Sequence, residues 1–278
     1  MKLHTIDTGF FKLDGGAMFG VVPKSIWHKL NPADENNMCT WAMRCMLIET
    51  GNKLVLIDTG IGNKQDDKFF SYYYLHGKNT LQKSLNALGF TADDITDVIL
   101  THLHFDHVGG AVERNKDGKL LPAFKNATYW SHESHWQWAI NPNDREKASF
   151  LKENFIPIQE SGQLKFLNAE TNLFEGFSFE LSNGHTESMI IPIVEYNGHK
   201  IAYMADLIPS IAHIPIPYVM GYDVRPLDTM KEKKSFLQNA VENNYILFFE
   251  HDPKVECVTL QQTEKGIRHK DELKLSEI

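Results

Sequence analysis

The chain has few cysteines. Cys39, Cys45 and Cys257 are the three thiols in 278 residues, and none sits in a CxxC pair. Three thiols cannot all pair with one another, so they are read as reduced core or near-surface thiols. No apolar run reaches the length of a membrane-spanning helix. The opening Met1-Lys2-Leu3-His4-Thr5-Ile6-Asp7 has no apolar signal core, and a cytoplasmic location is expected. The net charge is −8 with both signs interspersed, and no basic stripe is present. Nucleic acid is therefore not an expected partner. Long Gly/Ser/Pro linkers and internal repeats are absent too, so a single domain over residues 1–278 is expected. The 42% apolar content is enough for a sizeable core.

Several elements are legible. Residues 41–58 read as two strands joined at Gly51-Asn52-Lys53, with Leu54-Val55-Leu56-Ile57 buried on both faces. Residues 79–89 read as a helix with Leu81, Leu85 and Leu88 on one stripe and Gly89 closing it. Asp97 to Leu100 and Thr128 to Trp130 read as short strands, the second followed by Ser131, or less favourably Ser134, as a helix cap. Residues 143–154 suggest a charged helix opened by Asn143-Asp144. Met189–Glu195 and His199–Ala205 flank Asn197-Gly198, a hairpin signal. Residues 228–242 read as a helix capped by Asp228 or Thr229, and Tyr245–Phe249 as a buried strand. Strands, helix, strands, helix indicate a mixed α/β layer architecture.

The densest chemistry lies in Thr101-His102-Leu103-His104-Phe105-Asp106-His107. On an extended segment His102 and His104 point the same way. Asp106 and His107 follow at once and bring a second ligand pair beside the first. Crowded imidazoles and carboxylates after an apolar strand are costly to desolvate unless a metal coordinates them. A sharp exit turn is expected at Gly109-Gly110.

The stretch THLHFDHVGG resembles the HxHxDH signature of the metallo-β-lactamase superfamily. His185, Asp206 and His251 match the later ligand positions, and Leu56-Ile57-Asp58-Thr59-Gly60 resembles the second-strand motif. The resemblance spans about residues 40–252. It is strongest to the quorum-quenching N-acyl-homoserine lactonase branch, with organophosphate hydrolases close behind. The segment from Asp14 to Pro23 resembles that branch as well, which makes the N-terminal segment part of the expected substrate cleft.

The resemblance implies an αββα sandwich, two mixed sheets face to face with helices outside. It implies two divalent metals, zinc in preference to manganese, iron, cobalt or nickel. His102, His104 and His185 would hold the first, Asp106, His107 and His251 the second, and Asp206 would bridge both. A metal-bridging hydroxide would open a lactone ring, with Asp106 moving a proton to the leaving oxygen. Asp58 is either a turn aspartate or an acceptor for a ligand imidazole that fixes its tautomer, and the latter is favoured.

His213 either hydrogen-bonds the substrate carbonyl or is a packed loop histidine. Phe19, Trp27, Trp41, Tyr218 and Tyr222 are candidates for the substrate pocket, with Met18 and Met38 nearby in sequence; core packing is the competing role. His132 and His135 have helical i,i+3 spacing, which suits a third metal site less well than a packed helix. Two departures bear on specificity. The lactonases carry a tyrosine three residues beyond the bridging aspartate, where this chain has Pro209. After His185 the chain reads Thr186-Glu187-Ser188-Met189 instead of Thr-x-Gly-His. The expected partner is a small lactone or ester, and self-association into a homodimer is left open. An organophosphate or aryl-ester hydrolase and a non-catalytic metal-binding module are the alternatives. The Lys270-Asp271-Glu272-Leu273 tetrapeptide is internal and is read as coincidence.

Overall fold

A computed structural model describes every residue from Met1 to Ile278. The chain is mixed α/β, with two six-stranded mixed sheets and surrounding helices. Its strands in chain order are β1 (Lys2–Asp14), β2 (Met38–Thr50), β3 (Lys53–Ile57), β4 (Asp97–Ile99), β5 (Val112–Arg114), β6 (Leu120–Pro122), β7 (Thr128–Ser131) and β8 (Leu164–Phe166). They continue as β9 (Phe177–Ser182), β10 (Met189–Tyr196), β11 (His199–Tyr203), β12 (Ile246–Phe248), β13 (Cys257–Thr263) and β14 (Gly266–Leu273). The first sheet has the order β1-β2-β3-β4-β7-β8, and the second β14-β13-β12-β11-β10-β9; β5 and β6 form a small ribbon. No helix is long and apolar enough to cross a membrane.

Two compact units share the chain. One comprises Met1–Gly9, Met43–Tyr72 and His76–Phe174; the other comprises Phe10–Ala42, Tyr73–Leu75 and Glu175–Ile278. In the first unit β3, β4, β7 and β8 run parallel in succession. Parallel strands covered on both faces require apolar residues throughout, and Val55, Leu56, Ile57, Val98 and Ile99 are fully buried. Leu47, Leu100, Trp136 and Phe155 complete this core. In the second unit the Asn197-Gly198 turn joins β10 to β11 with both residues at positive φ, 49° and 81°, as a type I′ hairpin needs. β11 then pairs with β12 in parallel, and Tyr203 stacks on Phe248 at 5.4 Å.

Some local expectations need correction. Residues 143–154 do not form an α-helix: turns lead into a short 3₁₀ segment, Lys152–Asn154. Asn143 Oδ1 accepts from the backbone N–H groups of Arg145 and Glu146, and the Glu146 carboxylate turns inward to accept from Trp138 Nε1 at 2.7 Å. Burying that charge in a specific pocket overrides the helical propensity of the charged run. Leu88 is exposed, because the helix Leu81–Ala87 ends before it and Gly89 takes the left-handed φ of 85°. Ser131 is not a cap: it is the last residue of β7, paired with Phe166. Ser134 lies inside the helix Glu133–Ile140. Helix Pro226–Glu242 starts earlier than Asp228 or Thr229, at Pro226, whose ring presets the first helical φ.

The expected exit turn is a 3₁₀ turn over Gly109–Ala111, but close packing and not positive φ is what requires glycine there. A Cβ on Gly109 would collide with the Ile61 carbonyl oxygen, and one on Gly110 with that of Thr59. Gly110 N also donates to Gly60 O at 3.0 Å. The pair is glycine because the loop after β3 packs directly on this backbone. Gly109→Ala should therefore destabilise the fold by about 1–3 kcal/mol, the usual cost of overpacking. Urea unfolding measures this, and an unchanged midpoint would contradict the close approach.

Candidate metal centre

The first ligand group forms where β3 and β4 end side by side. Asp58 N donates to Ile99 O, so the two strand ends are in register. Asp58 has a φ of 57°, which turns its side chain under the following loop. Its Oδ1 accepts from Thr101 N at 2.8 Å, and its Oδ2 from Thr101 Oγ1 at 2.7 Å. The same Oδ2 lies 3.1 Å from His107 Nδ1. A carboxylate only accepts, so His107 carries its proton on Nδ1 and turns Nε2 the other way. Thr101 Oγ1 spends its proton on Asp58 and so accepts from His102 Nδ1 at 3.1 Å. His102 therefore also presents Nε2.

His104 has the reverse polarity. Its Nε2 lies 3.5 Å from Glu146 Oε1, so Nδ1 is the nitrogen on the other side of the ring, available to an ion. Between the two histidines, Leu103 N donates to His135 Nε2 at 2.8 Å and fixes the backbone. The rings of His102 and His104 lie 4.6 Å apart, those of His102 and His107 3.9 Å apart. Asp106 Oδ2 lies 3.8 Å from His107 Nε2, on the one-turn helix Phe105–Val108. All of these ligand candidates are buried.

The second group repeats the device. β11 and β12 end side by side, and Met204 N donates to Phe248 O. Asp206 follows β11 and His251 follows β12. His251 Nε2 lies 3.2 Å from Asp206 Oδ1, and His185 Nε2 lies 3.1 Å from Asp206 Oδ2. Behind the rings, His251 Nδ1 faces Ala42 O at 2.8 Å and His185 Nδ1 faces Asp223 Oδ1 at 2.9 Å. Glu232, on the helix Pro226–Glu242, accepts from Ser182 Oγ, Asn183 N and Gly184 N and so holds the loop that carries His185.

The donor set fits divalent transition metals. It consists of buried imidazoles and carboxylates without thiolate, the combination that suits zinc and its neighbours. Each imidazole has its rear nitrogen beside a partner, which orients the front nitrogen before any ion binds.

Sequence reasoning missed Asp223, Glu146 and Glu232, because each reaches its partner from a distant, motif-free segment. His135, singled out for its spacing to His132, is buried on the packed helix and accepts from Leu103 N. Other candidates fall outside the ligand groups. His213 is buried with both nitrogens engaged: Nε2 faces Met18 O at 2.9 Å and Nδ1 faces Ser210 Oγ at 2.7 Å. It stacks on Phe19 at 4.7 Å. Its reading as a substrate contact is corrected to that of a packed, neutral loop histidine. Phe19, Trp27 and Trp41 are buried and packed on one another, with Phe19 stacked on Trp27 at 5.4 Å, so they are core and not pocket wall. Tyr218 is half-buried and Tyr222 exposed, both on the segment after His213.

With this geometry in view, the family follows. The family model for the metallo-beta-lactamase superfamily matches residues 44–251, and the chain belongs to that superfamily as a metallo-hydrolase. Among individual proteins it is 23% identical to the N-acyl homoserine lactonase AiiA of Bacillus thuringiensis subsp. kurstaki, over 92% of this chain and 94% of that one. The structure of a probable metal-dependent hydrolase from Staphylococcus aureus superposes with a TM-score of 0.88 at 29% identity, covering 98% and 96% of the two chains. AidC, a dizinc quorum-quenching lactonase in complex with a product, shares the fold with a TM-score of 0.80 at 24% identity, covering 98% and 94%.

Burial lowers the His213 pKa from 6.5 to about 3. The unfolded chain then binds this proton before the folded one does. The contribution to stability is complete above pH 6.5 and is lost progressively as the pH falls toward 3. His213→Asn should show a shallower loss of stability than the wild type over that window. Parallel urea titrations at several pH values check it, and identical slopes would rule His213 out as a source of acid lability.

Proposed function

We propose that the chain is a dinuclear metallohydrolase that opens lactone rings, with N-acyl-homoserine lactones as the substrate class. The observation that carries the reading is Asp206, whose two oxygens face the Nε2 atoms of two different ligand imidazoles, His185 and His251. One carboxylate arranged in this way suits a bridge between two cations. In this assignment His102, His104 and His185 serve one ion, Asp106, His107 and His251 the other, and Asp206 both. The ions are proposed to be zinc, which suits imidazole and carboxylate donors. When bound they supply Lewis acidity toward the carbonyl and an activated water.

The protein's own part is orientation and proton movement. Asp58 keeps His107 and, through Thr101, His102 in one tautomer. Asp106 takes the proton of the attacking water and delivers it to the ring oxygen as the C–O bond breaks. The choice of lactones rests on the homologous lactonases, one of them matching along nearly the whole chain.

Pro209 supports one competing reading. It occupies the position of the lactonases' substrate-binding tyrosine, and its carbonyl accepts from His251 N at 3.2 Å. With His213 engaged elsewhere, neither residue supplies that carbonyl hydrogen bond, and a phosphotriester or aryl ester could use the same donor set. A panel of acyl-homoserine lactones, paraoxon-type esters and nitrocefin-type lactams, run with metal-loaded protein, separates these. Lactones are expected to show the highest kcat/KM. Faster paraoxon hydrolysis would transfer the assignment to the organophosphate class. Chelator should abolish turnover and added zinc restore it; turnover that ignores chelator would leave the metals a structural role only.

Asp106→Asn should lower kcat by about 10²- to 10⁴-fold, the usual worth of general acid–base catalysis, with little change in KM. If the variant keeps both metals and a near-normal kcat, Asp106 moves no proton.

A further inference from the structure

We propose that Asp223 is a positioning residue that makes His185 a preoriented metal ligand; the inference rests on the metal assignment above. Asp223 belongs to no motif, and it approaches His185 from 38 positions further along the chain. Its Oδ1 lies 2.9 Å from His185 Nδ1, and both residues are almost completely buried. An ionised carboxylate can only accept, so the Nδ1 of His185 bears the proton. Nε2, on the opposite edge of the ring and 3.1 Å from Asp206 Oδ2, is then the nitrogen that faces the site.

The pairing is fixed by backbone as well as by side chains. Val224 N donates to His185 O at 3.2 Å, and Arg225 N donates to Gly184 O at 2.9 Å. The Arg225 guanidinium adds bonds to Asn183 O at 2.6 Å and Glu187 Oε2 at 2.8 Å. Residues 223–225 are thus clipped onto residues 183–187, and the carboxylate travels with the imidazole as one piece. The other imidazole that faces Asp206 is backed differently. His251 Nδ1 meets a neutral carbonyl, Ala42 O, at 2.8 Å. A carboxylate behind the ring raises its basicity more than a carbonyl does. His185 is accordingly the stronger donor of the two, and Asp223 is the cause.

The test compares zinc affinity in the full-length wild type, Asp223→Ala and Asp223→Asn, by competition with a chromophoric chelator. The companion readout is nitrogen-detected NMR of the His185 ring in the zinc-loaded protein. The wild type should coordinate through Nε2 and show a slowly exchanging, hydrogen-bonded Nδ1 proton. Asp223→Ala should weaken zinc binding about 10- to 100-fold, as removal of such partners does, and should lose that proton signal. Asp223→Asn keeps an oxygen acceptor without the charge. It should retain the signal and lose less affinity than the alanine variant. Unchanged zinc affinity in both variants overturns the proposal, and so does coordination of His185 through Nδ1 in the wild type. If the alanine variant does not fold, the asparagine variant and the wild-type ring assignment decide. A chain that hydrolyses no lactone yet shows these zinc effects would sink the lactonase reading and leave the role of Asp223 standing. A wild type that takes up no zinc overturns both.

Discussion

The ligand loop after β4 depends on one buried anion. Asp58 is inaccessible to solvent and accepts from Thr101 N, Thr101 Oγ1 and His107 Nδ1. Burying an unpartnered carboxylate costs several kcal/mol at least, and these three donors offset that cost. They also convert it into geometry, because each donor belongs to Thr101 or to the HxHxDH segment that follows it and is drawn to a fixed point at the end of β3. The left-handed φ of Asp58 costs about 1–2 kcal/mol for a residue with a Cβ. That strain is tolerated because the alternative is a charge without partners. Gly109 and Gly110 follow from the same constraint: once the loop after β3 is pulled against the ligand segment, no side chain fits between them.

The same device recurs in the other unit. A parallel strand pair, β3 with β4 or β11 with β12, ends in register and releases its chain at one edge. A candidate ligand or its anchor follows within three residues of each strand: Asp58 and His102 in one case, Asp206 and His251 in the other. Parallel strands place both C-terminal ends together, whereas an antiparallel pair would place only one there. Four short segments far apart in sequence thus become two clusters, each on a stiff base of ladder hydrogen bonds.

This explains which parts of the site the sequence reveals. HxHxDH is visible because its four candidate ligands fall within six residues and follow an apolar strand. His185, Asp206 and His251 are single residues, found only through resemblance to a family whose pattern supplies their order. Asp223 and Glu146 carry no such cue, since what selects them is a distance to an imidazole and not a spacing along the chain. The region around Glu146 also shows why local reading failed for residues 143–154. Its composition favours a helix, but the buried carboxylate, held by Trp138 and Asn143, requires a turn. The strands were easier, because Leu54–Ile57 and Tyr245–Phe249 are apolar runs whose burial fixes their structure whatever surrounds them. His213 was undecidable from sequence for a related reason: a packed imidazole and a substrate-binding one have the same neighbours along the chain.

His213 is part of a wider solution to a different difficulty. The segment from Pro209 to Tyr218 contains three prolines and joins no sheet, so its carbonyls lack ladder partners. Lys233, buried on the helix Pro226–Glu242, donates to the carbonyls of His213, Pro215 and Tyr218 at 2.9, 3.1 and 2.7 Å. Burial pushes its pKa down to about 7, with the field of Asp223 acting in the opposite sense. The three acceptors match the three protons of an ammonium group, so one cation does for this loop what a neighbouring strand would do elsewhere. His213 in turn ties the loop to Met18 O through Nε2, and Gly221, just beyond the loop, donates its N–H to Ala17 O at 2.7 Å. The N-terminal segment resembling the lactonases is therefore held by polar contacts to a loop that is itself held by a buried lysine. Substitutions anywhere along that chain of contacts should be felt as changes in loop order before they are felt at the ligands.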